Sequence, residues 1–415
     1  MITSAERELL RELARQYAEY AQDPAQERKR ARQIANNSLE AGRPPVLIDE
    51  VPWHEMDFDG QLALRCEDPF ARGMEQFFRR RIYQQKHFPC DQLLEAYYPV
   101  GKIIRSTGIG LTVEEDTIAL DGRNNIISHK YQDQLASEED VERIRIPEIT
   151  GDPEQDQRNL ALAGELLEGI LPVRLRGTEI YYAPWDQIIR YRGVESVLMD
   201  MAERPEHIHR IIGKFTEIGL YTIRRYEELG VLECEAPTLH CTPGLVRDLP
   251  AADYAGGPLR RKDVWIRSMA QMFSSVSPAM HQEFDLDYSR ALFDQCGLVY
   301  YGCCEPLDNK IDLLKKIPNM RKIGVSPWAS VESCAEQLGS SYVYARKPNP
   351  ANVAIQTDPE EIRRELLETV EACQRHGCPY ELVLKDISTV SYRPENLFLW
   401  EQTVRSTLDA LYGRP

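Results

Sequence analysis

Two adjacent cysteines and a glutamate follow an apolar segment in the stretch LVYYGCCEPLDNK (298–310). Thiolates and carboxylates are both zinc ligands, and a catalytic zinc ion takes three protein ligands and keeps one position open. Neighbouring residues at a strand end seldom point the same way. We therefore expect Cys303 to be a zinc ligand and a catalytic residue, with Cys304 or Glu305 as a further ligand. In the alternative interpretation both cysteines are small packing residues and Glu305 caps the next helix.

A second group of candidate ligands lies in the stretch TLHCTPG (238–244). His240 and Cys241 follow a predicted strand at 231–236, and a histidine brought close to Cys303 would complete a zinc site. The alternative is an ordinary loop histidine. We expect the run CQRHGC (373–378) to be structural instead, because it ends an amphipathic helix. Gly377 is a natural C-cap there, and a histidine suits the negative end of the helix dipole.

Further polar residues stand at or just after predicted strand ends. Glu50 follows the first buried segment and could act as a general acid or base. Lys347, in RKPNPAN, could bind a carboxylate or a phenolate. We expect it to contact substrate together with Tyr301, Trp328 and Gln271. The alternative for each is a solvated side chain in a loop.

Short apolar segments alternate with predicted helices along most of the chain, which is typical of parallel α/β structure. Eight such units form a TIM barrel, in which chemistry is carried by the loops after the strand C-terminal ends. No G-x-G-x-x-G or G-x-x-x-x-G-K-[ST] follows a strand, which disfavours a doubly wound open sheet. We predict a (β/α)8 TIM barrel over residues 41–415, with an N-terminal helical extension (1–40) and a β-rich insertion (105–150).

Composition limits the classes of partner and the compartment. The 415 residues include 50 basic and 66 acidic ones, so the net charge is −16, which argues against a nucleic-acid or anionic-membrane surface. No segment approaches the roughly 20 apolar residues that span a bilayer. The first helix has no apolar signal core, so we expect a cytoplasmic protein whose ten cysteines are free thiols or metal ligands.

Three stretches carry a resemblance to a known family: RGVESVLMDMAERPEHIHRIIGKFTEIGL, FDQCGLVYYGCCEPLDNKIDLLKKIPNMRKIGVSPWAS and YVYARKPNPANV. Together they resemble the uroporphyrinogen decarboxylase-like superfamily, over most of residues 40–412. The family's His-x-Cys-Gly motif at the sixth strand falls on Tyr301 to Cys304, so the cysteine is kept and the histidine is replaced by tyrosine. The later cysteine ligand of the family has no counterpart in ARKPNPAN.

The resemblance implies a TIM barrel and one of two activities. The family contains metal-free decarboxylases and zinc-dependent methyltransferases that serve corrinoid proteins. The arginine-rich start of the true porphyrinogen decarboxylases is not evident near 46–54, which favours the corrinoid-dependent methyltransferase branch. That branch implies zinc, held here by His240, Cys303 and Cys304 or Glu305, and a separate cobalamin-binding partner protein. A homodimer is compatible with the family.

Three functions remain open from the sequence. The favoured one is a methyltransferase that moves a methyl group between a small methylated compound, such as a methoxylated aromatic or a methylamine, and a corrinoid protein. The second is a metal-free decarboxylase of a small or tetrapyrrole carboxylate. The third is a non-catalytic barrel that binds a partner.

Overall fold

The computed structural model describes residues 2–119, 127–355 and 357–414. The strands within these residues are β1 (Val46–Ile48), β2 (Tyr98–Gly101), β3 (Ile104–Ser106), β4 (Glu115–Ala119), β5 (Ile127–Tyr131), β6 (Ile149–Gly151), β7 (Val173–Arg176), β8 (Ile180–Tyr182), β9 (Thr238–Leu239), β10 (Thr242–Pro243), β11 (Trp265–Ser268), β12 (Leu298–Tyr301), β13 (Met320–Val325), β14 (Val343–Arg346) and β15 (Tyr380–Leu384).

The α-helices are α1 (Ser4–Ala21), α2 (Ala25–Asn37), α3 (Pro69–His87), α4 (Glu138–Val141), α5 (Pro153–Leu167), α6 (Pro184–Arg192), α7 (Val194–Glu203), α8 (Pro205–Glu228), α9 (Pro278–His281), α10 (Asp287–Phe293), α11 (Ile311–Leu314), α12 (Val331–Leu338), α13 (Ala351–Ala354), α14 (Pro359–His376) and α15 (Glu395–Tyr412). Short 3₁₀ turns occur at Trp53–Glu55, Arg261–Asp263, Gln271–Ser275 and Gly339–Ser341, and a π turn occurs at Gln282–Leu286.

A parallel sheet forms the centre of the fold, with the strand order β1-β15-β14-β13-β12-β11-β8. Its strands are short apolar segments, and most of their residues are buried. Strands of a parallel sheet are apolar along their whole length because both faces of the sheet are covered. Along the pairing, Ile48 lies opposite Leu384 and Ser268 lies opposite Tyr301. The predicted parallel α/β architecture is confirmed.

The sheet curls, so that one face becomes an interior. The side chains of Lys385, after β15, and Cys303, after β12, are 2.9 Å apart although β13 and β14 lie between their strands. Residues alternate between the two faces. Tyr300 and Lys322 point inward, whereas Tyr301 and Ile323 join the apolar layer under the helices. The inner face is therefore the more polar one, and it can host chemistry.

The predicted eighth strand is not confirmed: among the described residues, seven strands are hydrogen-bonded in the sheet. The segment expected to supply it, VLECEA (231–236), makes a single parallel bridge, between Leu232 and Thr178. Its Glu233 instead pairs with Arg176 at 2.9 Å. In the part of the chain that the structure describes, no regular strand therefore joins the edge strands β1 and β8.

The short hairpin β9–β10 lies between these two edges. The backbone N–H of His240 hydrogen-bonds the carboxylate of Glu179, next to β8, and its imidazole lies 3.3 Å from Glu50, after β1. Cys241 packs inside the sheet on Leu47 and Val383. Side chains of this hairpin therefore fill the interior of the curled sheet, although the sequence pattern predicts a loop for this segment.

Helices cover the outer face. Helix α14 starts at the N-cap Asp358, buries Ile362, Leu366 and Val370, and ends at Gly377 in the left-handed conformation. Cys373 and Cys378 are buried in the apolar core, and His376 pairs with Glu332 on α12. This arrangement agrees with the structural interpretation of the CQRHGC run.

The segment 1–40 contains α1 and α2, and α1 packs against α3 and α5. The segment 105–150 contains the exposed antiparallel hairpin β4–β5, whose turn (120–126) lies outside the described residues. Strand β3 pairs antiparallel with β6 nearby. The domain boundaries stay a prediction. Within the described residues, no helix is both long and apolar enough to cross a membrane.

Candidate active site

A group of thiols, carboxylates and one ammonium lies at the carboxyl end of the curled sheet. Lys385 donates a hydrogen bond to Cys303 Sγ at 2.9 Å and contacts Asp386 Oδ1 at 3.0 Å. The Cys304 thiol donates to Asp386 Oδ2 at 2.8 Å, and the two sulfurs are 3.4 Å apart. Glu50 lies 3.7 Å from the Lys385 nitrogen. We call these five residues the thiol–lysine cluster.

Three strand ends position the cluster: β1 leads to Glu50, β12 to Cys303, and β15 to Lys385. The backbone turns sharply at two of its members, since Glu50 has φ 52° and Asp386 has φ 56°. Such left-handed conformations are costly for residues other than glycine, and they concentrate at functional sites. The N–H of Asp386 donates to Glu50 Oε2 at 2.8 Å, which ties the two strained turns together.

Gly302 brings Cys303 to the cluster. Its φ of 104° disfavours any L side chain, and an added Cβ would lie 2.7 Å from Leu307 Cδ1 and 3.2 Å from the Gly324 nitrogen. The glycine therefore lets the chain leave β12 in close contact with β13, directly before the two cysteines.

The charges of the cluster follow from burial and proximity. Burial lowers the pKa of Lys385, but the sulfurs of Cys241, Cys303 and Cys304, once ionised, and the carboxylate of Glu50 outweigh it and raise that pKa. Lys385 is therefore an ammonium ion. Burial raises the pKa of Asp386, but Lys385 and the Cys304 thiol more than offset this and lower it. Burial is the main cause that raises the pKa of Glu50.

The Cys303 thiol stays protonated at neutral pH. A hydrogen bond with Cys241 lowers its pKa, but a hydrogen bond with Cys304 and burial outweigh that effect and raise the pKa to about 12. The Cys241 thiol has a pKa well above its usual value because of its hydrogen bond with Cys303 and its burial. The sulfurs are consequently neutral neighbours of a cation at rest.

Glu305 lies buried directly beside Cys303. Its carboxylate accepts the N–H of Cys303 at 2.9 Å and the N–H of Ala270 at 3.1 Å. Burial raises its pKa to about 7, against the opposing effect of these backbone hydrogen bonds. Glu305 holds the loop of the two cysteines in place and can gain or lose a proton near neutral pH.

His240 reaches the edge of the cluster through Glu50. Burial, and then the charges of Arg267, Lys385 and Lys347, lower its pKa to about 4. The imidazole is therefore neutral at physiological pH. With φ 48°, His240 is a further non-glycine residue in the left-handed region next to the site.

The three predicted zinc ligands do not converge on one point in this arrangement. His240 turns toward Glu50, while Cys303 and Cys304 both face the Lys385 ammonium, at 2.9 and 3.8 Å. A zinc ion bound to these sulfurs would be repelled by the Lys385 ammonium. In the described parts of the chain, no group of three His, Cys, Asp or Glu side chains is placed to hold a metal ion. The arrangement of these residues therefore does not fit a zinc ion, and metal analysis tests the zinc that the resemblance implies.

Lys347 lies on the inner face and is 1% exposed. Its ammonium stands 5.5 Å from the ring centre of Tyr300 and has no hydrogen-bond partner among the described residues. The Tyr300 hydroxyl also lacks one there. Buried polar groups are normally paired, so an unpaired lysine inside the sheet is suited to an anionic ligand.

Three predicted substrate residues are not members of the cluster. Tyr301 points to the outer side of the sheet, where its hydroxyl donates to Asp285 and contacts His281, each at 2.6 Å. Trp328 is 70% exposed. Gln271 bonds Asp186 at 3.0 Å. Because the Tyr301 hydroxyl is already hydrogen-bonded to Asp285 and His281, Tyr301 does not replace the family histidine as a metal ligand.

Three residues at or near the cluster have no predicted role: Lys385, Asp386 and Arg267. Lys385 and Asp386 follow the last strand in YELVLKDIS. A lysine directly after such an apolar run is the feature of the sequence that could have indicated a functional role for them. Arg267 lies within the apolar strand β11, where a charged residue is unusual. Its guanidinium stacks 3.7 Å above the ring centre of Tyr181.

The chain shows little similarity in sequence to known proteins. No protein-family model and no curated protein sequence matches the chain. Among solved structures, a methyltransferase from Methanosarcina mazei aligns with a TM-score of 0.49 and 12% sequence identity, over 92% of this chain and 99% of that chain. Likeness at this level assigns neither a family nor an activity to the chain.

Proposed function

We propose that the protein is a methyltransferase that removes a methyl group from a small methylated compound, such as a methoxylated aromatic or a methylamine, and passes it to a corrinoid protein. The sequence resemblance supports the reaction class. The observation that supports the chemistry is the Lys385 ammonium, held at Cys303 between the carboxylates of Glu50 and Asp386.

The reaction requires a group that stabilises charge and a proton donor. When a methyl group leaves without its bonding electrons, the atom that carried it keeps the pair. An ether oxygen becomes an anion unless it takes up a proton, whereas an amine nitrogen must be protonated before the transfer and then leaves neutral. Lys385 stabilises negative charge on an oxygen, and its ammonium, with the Glu50 carboxyl group beside it, supplies the proton. The corrinoid of the partner protein would supply the methyl acceptor. No step in this scheme requires zinc.

A methyl-transfer screen tests the proposal. The full chain is mixed with reduced free cobalamin, as a substitute for the partner, and with methoxylated aromatics and methylamines in turn. We expect at least one compound to give methylcobalamin, which is detected by its absorption spectrum. If every compound fails while the protein binds a partner from purified corrinoid proteins, the non-catalytic alternative is supported.

Metal analysis of the purified chain separates the acid-assisted scheme from the zinc-assisted one. We expect less than one zinc per chain, and equal zinc content in Cys303→Ser. Stoichiometric zinc in the wild type that is lost in Cys303→Ser would show that Cys303 is a zinc ligand after all.

A second candidate function is the metal-free decarboxylation of a small carboxylate. The observation that favours it is Lys347, an unpaired and buried cation on the inner face. A carboxylate substrate would satisfy this group. Release of carbon dioxide in the absence of any corrinoid, and its loss in Lys347→Met, would support this candidate over methyl transfer.

A further inference from the structure

We infer that a cavity along the free edge of β8 binds a small carboxylate with an apolar body. This cavity, called the β8 cavity below, has a volume of about 510 Å³. That volume lies within the range of small-molecule sites, roughly 300–1,000 Å³. The inference goes beyond the proposed reaction and holds whether or not the chain transfers methyl groups.

The β8 cavity exists because no regular strand pairs with the outer edge of β8 in the described part of the chain. Its walls come from β8, from one side of α8 and from the segments around β3 and β6. The side chains that make them apolar are Ile104, Ile149, Phe215, Ile218, Ile223 and Leu292. Walls of this kind favour an aromatic or alkyl group.

Arg267 closes the inner end of the cavity. The residue is 4% exposed, and its guanidinium is stacked on Tyr181. Its Nη1 and Nε atoms have no hydrogen-bond partner among the described residues. The ion-pair contact with Glu179 is long, at 3.4 Å from Nε. A buried arginine normally has its donors satisfied, so these free donors indicate a missing anion.

Glu179 does not neutralise Arg267 fully. Burial raises the pKa of Glu179 to about 7, although Arg267 and the N–H of His240 lower it. Near neutral pH a large share of this carboxyl is therefore protonated. Arg267 and Glu179 are the charged residues on the cavity lining. The cavity thus carries positive charge at its closed end and little charge elsewhere.

A carboxylate matches this end of the cavity better than other anions. A guanidinium binds the two oxygens of one carboxylate through the parallel N–H groups of one edge, and the unpaired Nε and Nη1 atoms lie on two different edges, each shared with Nη2. A phosphate would bring a second charge for which the lining offers no second cation. The charge of Arg267 also acts on His240, as does that of Lys385, so a bound carboxylate lies near the thiol–lysine cluster.

Calorimetry with a matched pair of probes tests the inference. The probes are 4-methylbenzoate and its uncharged analogue 4-methylbenzamide, neither of which has a methyl group on oxygen or nitrogen. A failure of binding is therefore distinct from a failure of methyl transfer. We expect 4-methylbenzoate to bind the full chain at least ten-fold more tightly than the amide. Equal affinity, or no measurable binding of the benzoate, would overturn the inference.

Variants assign the binding to the β8 cavity. Arg267→Gln should weaken benzoate binding at least ten-fold, whereas Arg174→Gln, an exposed arginine outside the cavity, should leave it unchanged. Thr222→Trp fills the cavity from α8 without changing charge, and it should also abolish binding. This second variant decides the question if Arg267→Gln does not fold. Benzoate binding that survives both changes in folded protein would contradict the assignment.

Discussion

Glu305 makes a prediction at the scale of single residues. Its pKa rises from 4.5 to about 7 on folding because the carboxyl is buried. Between these values the folded chain holds a proton that the unfolded chain has released, so this group makes stability fall as pH rises. The expected slope is about 1.4 kcal/mol per pH unit. Glu305→Gln removes this dependence, and urea unfolding at several pH values between about 5 and 7 measures it.

The control for this measurement is Glu8→Gln, which changes an exposed glutamate on α1. It should follow the wild-type pH dependence. If Glu305→Gln and Glu8→Gln show the same slope, Glu305 does not hold an extra proton in the folded protein.

The sequence predicted the residue types of the cluster but not its full membership. Glu50, Cys303 and Cys304 were expected from their chemistry after strand ends. Lys385 was given no role, because a lysine after a strand is compatible with solvation, and its contact with Cys303 bridges 82 positions of the chain. Tyr301 was expected to contact substrate, but its hydroxyl lies on the outer side of the sheet, and VYYG gives no sign of which tyrosine faces inward.

Helix α8 and strand β8 make a prediction at the scale of elements. They approach closely at Gly219, where an added Cβ would lie 2.6 Å from Tyr182 Cε2 and 3.0 Å from Leu292 Cδ2. Gly219→Ala should destabilise the protein by about 1–3 kcal/mol through overpacking. Urea unfolding measures the change.

Gly213 supplies a matched control on the same helix, because an added Cβ there meets nothing within 4 Å. Gly213→Ala should stabilise α8 by roughly 0.5–1 kcal/mol, since alanine loses less backbone entropy on folding. Equal effects of the two substitutions would contradict the close packing of α8 on β8.

Most strands of the sheet were predictable because β11 to β15 are short apolar runs between helices. The segment VLECEA was expected to be a strand by the same pattern. Its Glu233 is drawn to Arg176, and Pro237, which has no N–H to donate, follows directly. Ion pairing between distant segments overrides local strand preference, and the sequence alone does not show it.

The β9–β10 hairpin is held inside the sheet by a buried network, which makes a prediction at the scale of the whole molecule. Lys322 on β13 and Glu381 on β15 form an ion pair at 2.7 Å, and both side chains are 0% exposed. Lys322 also donates to Thr242 Oγ1 at 3.1 Å and to the Pro243 carbonyl at 2.8 Å, both on β10. Three separate parts of the chain therefore meet at one ammonium.

Lys322→Met should cost about 3–5 kcal/mol, because it leaves the Glu381 carboxylate buried and unpaired. The double variant Lys322→Met/Glu381→Gln removes both charges and should recover part of this loss. The shift of the urea midpoint measures both. A double variant that is as unstable as the sum of its single changes would show that the two residues are not coupled.

The central claim is that the Lys385 ammonium, held at Cys303, stabilises the charge on the atom that loses its methyl group. The most direct measurement is the rate of methylcobalamin formation, with a substrate found in the screen, for Lys385→Met and for Lys316→Met, which changes an exposed lysine. We expect Lys385→Met to lose at least about 100-fold in rate, as for the loss of one charge-stabilising group, and Lys316→Met to keep the wild-type rate. Equal rates for folded Lys385→Met and wild type would contradict the account.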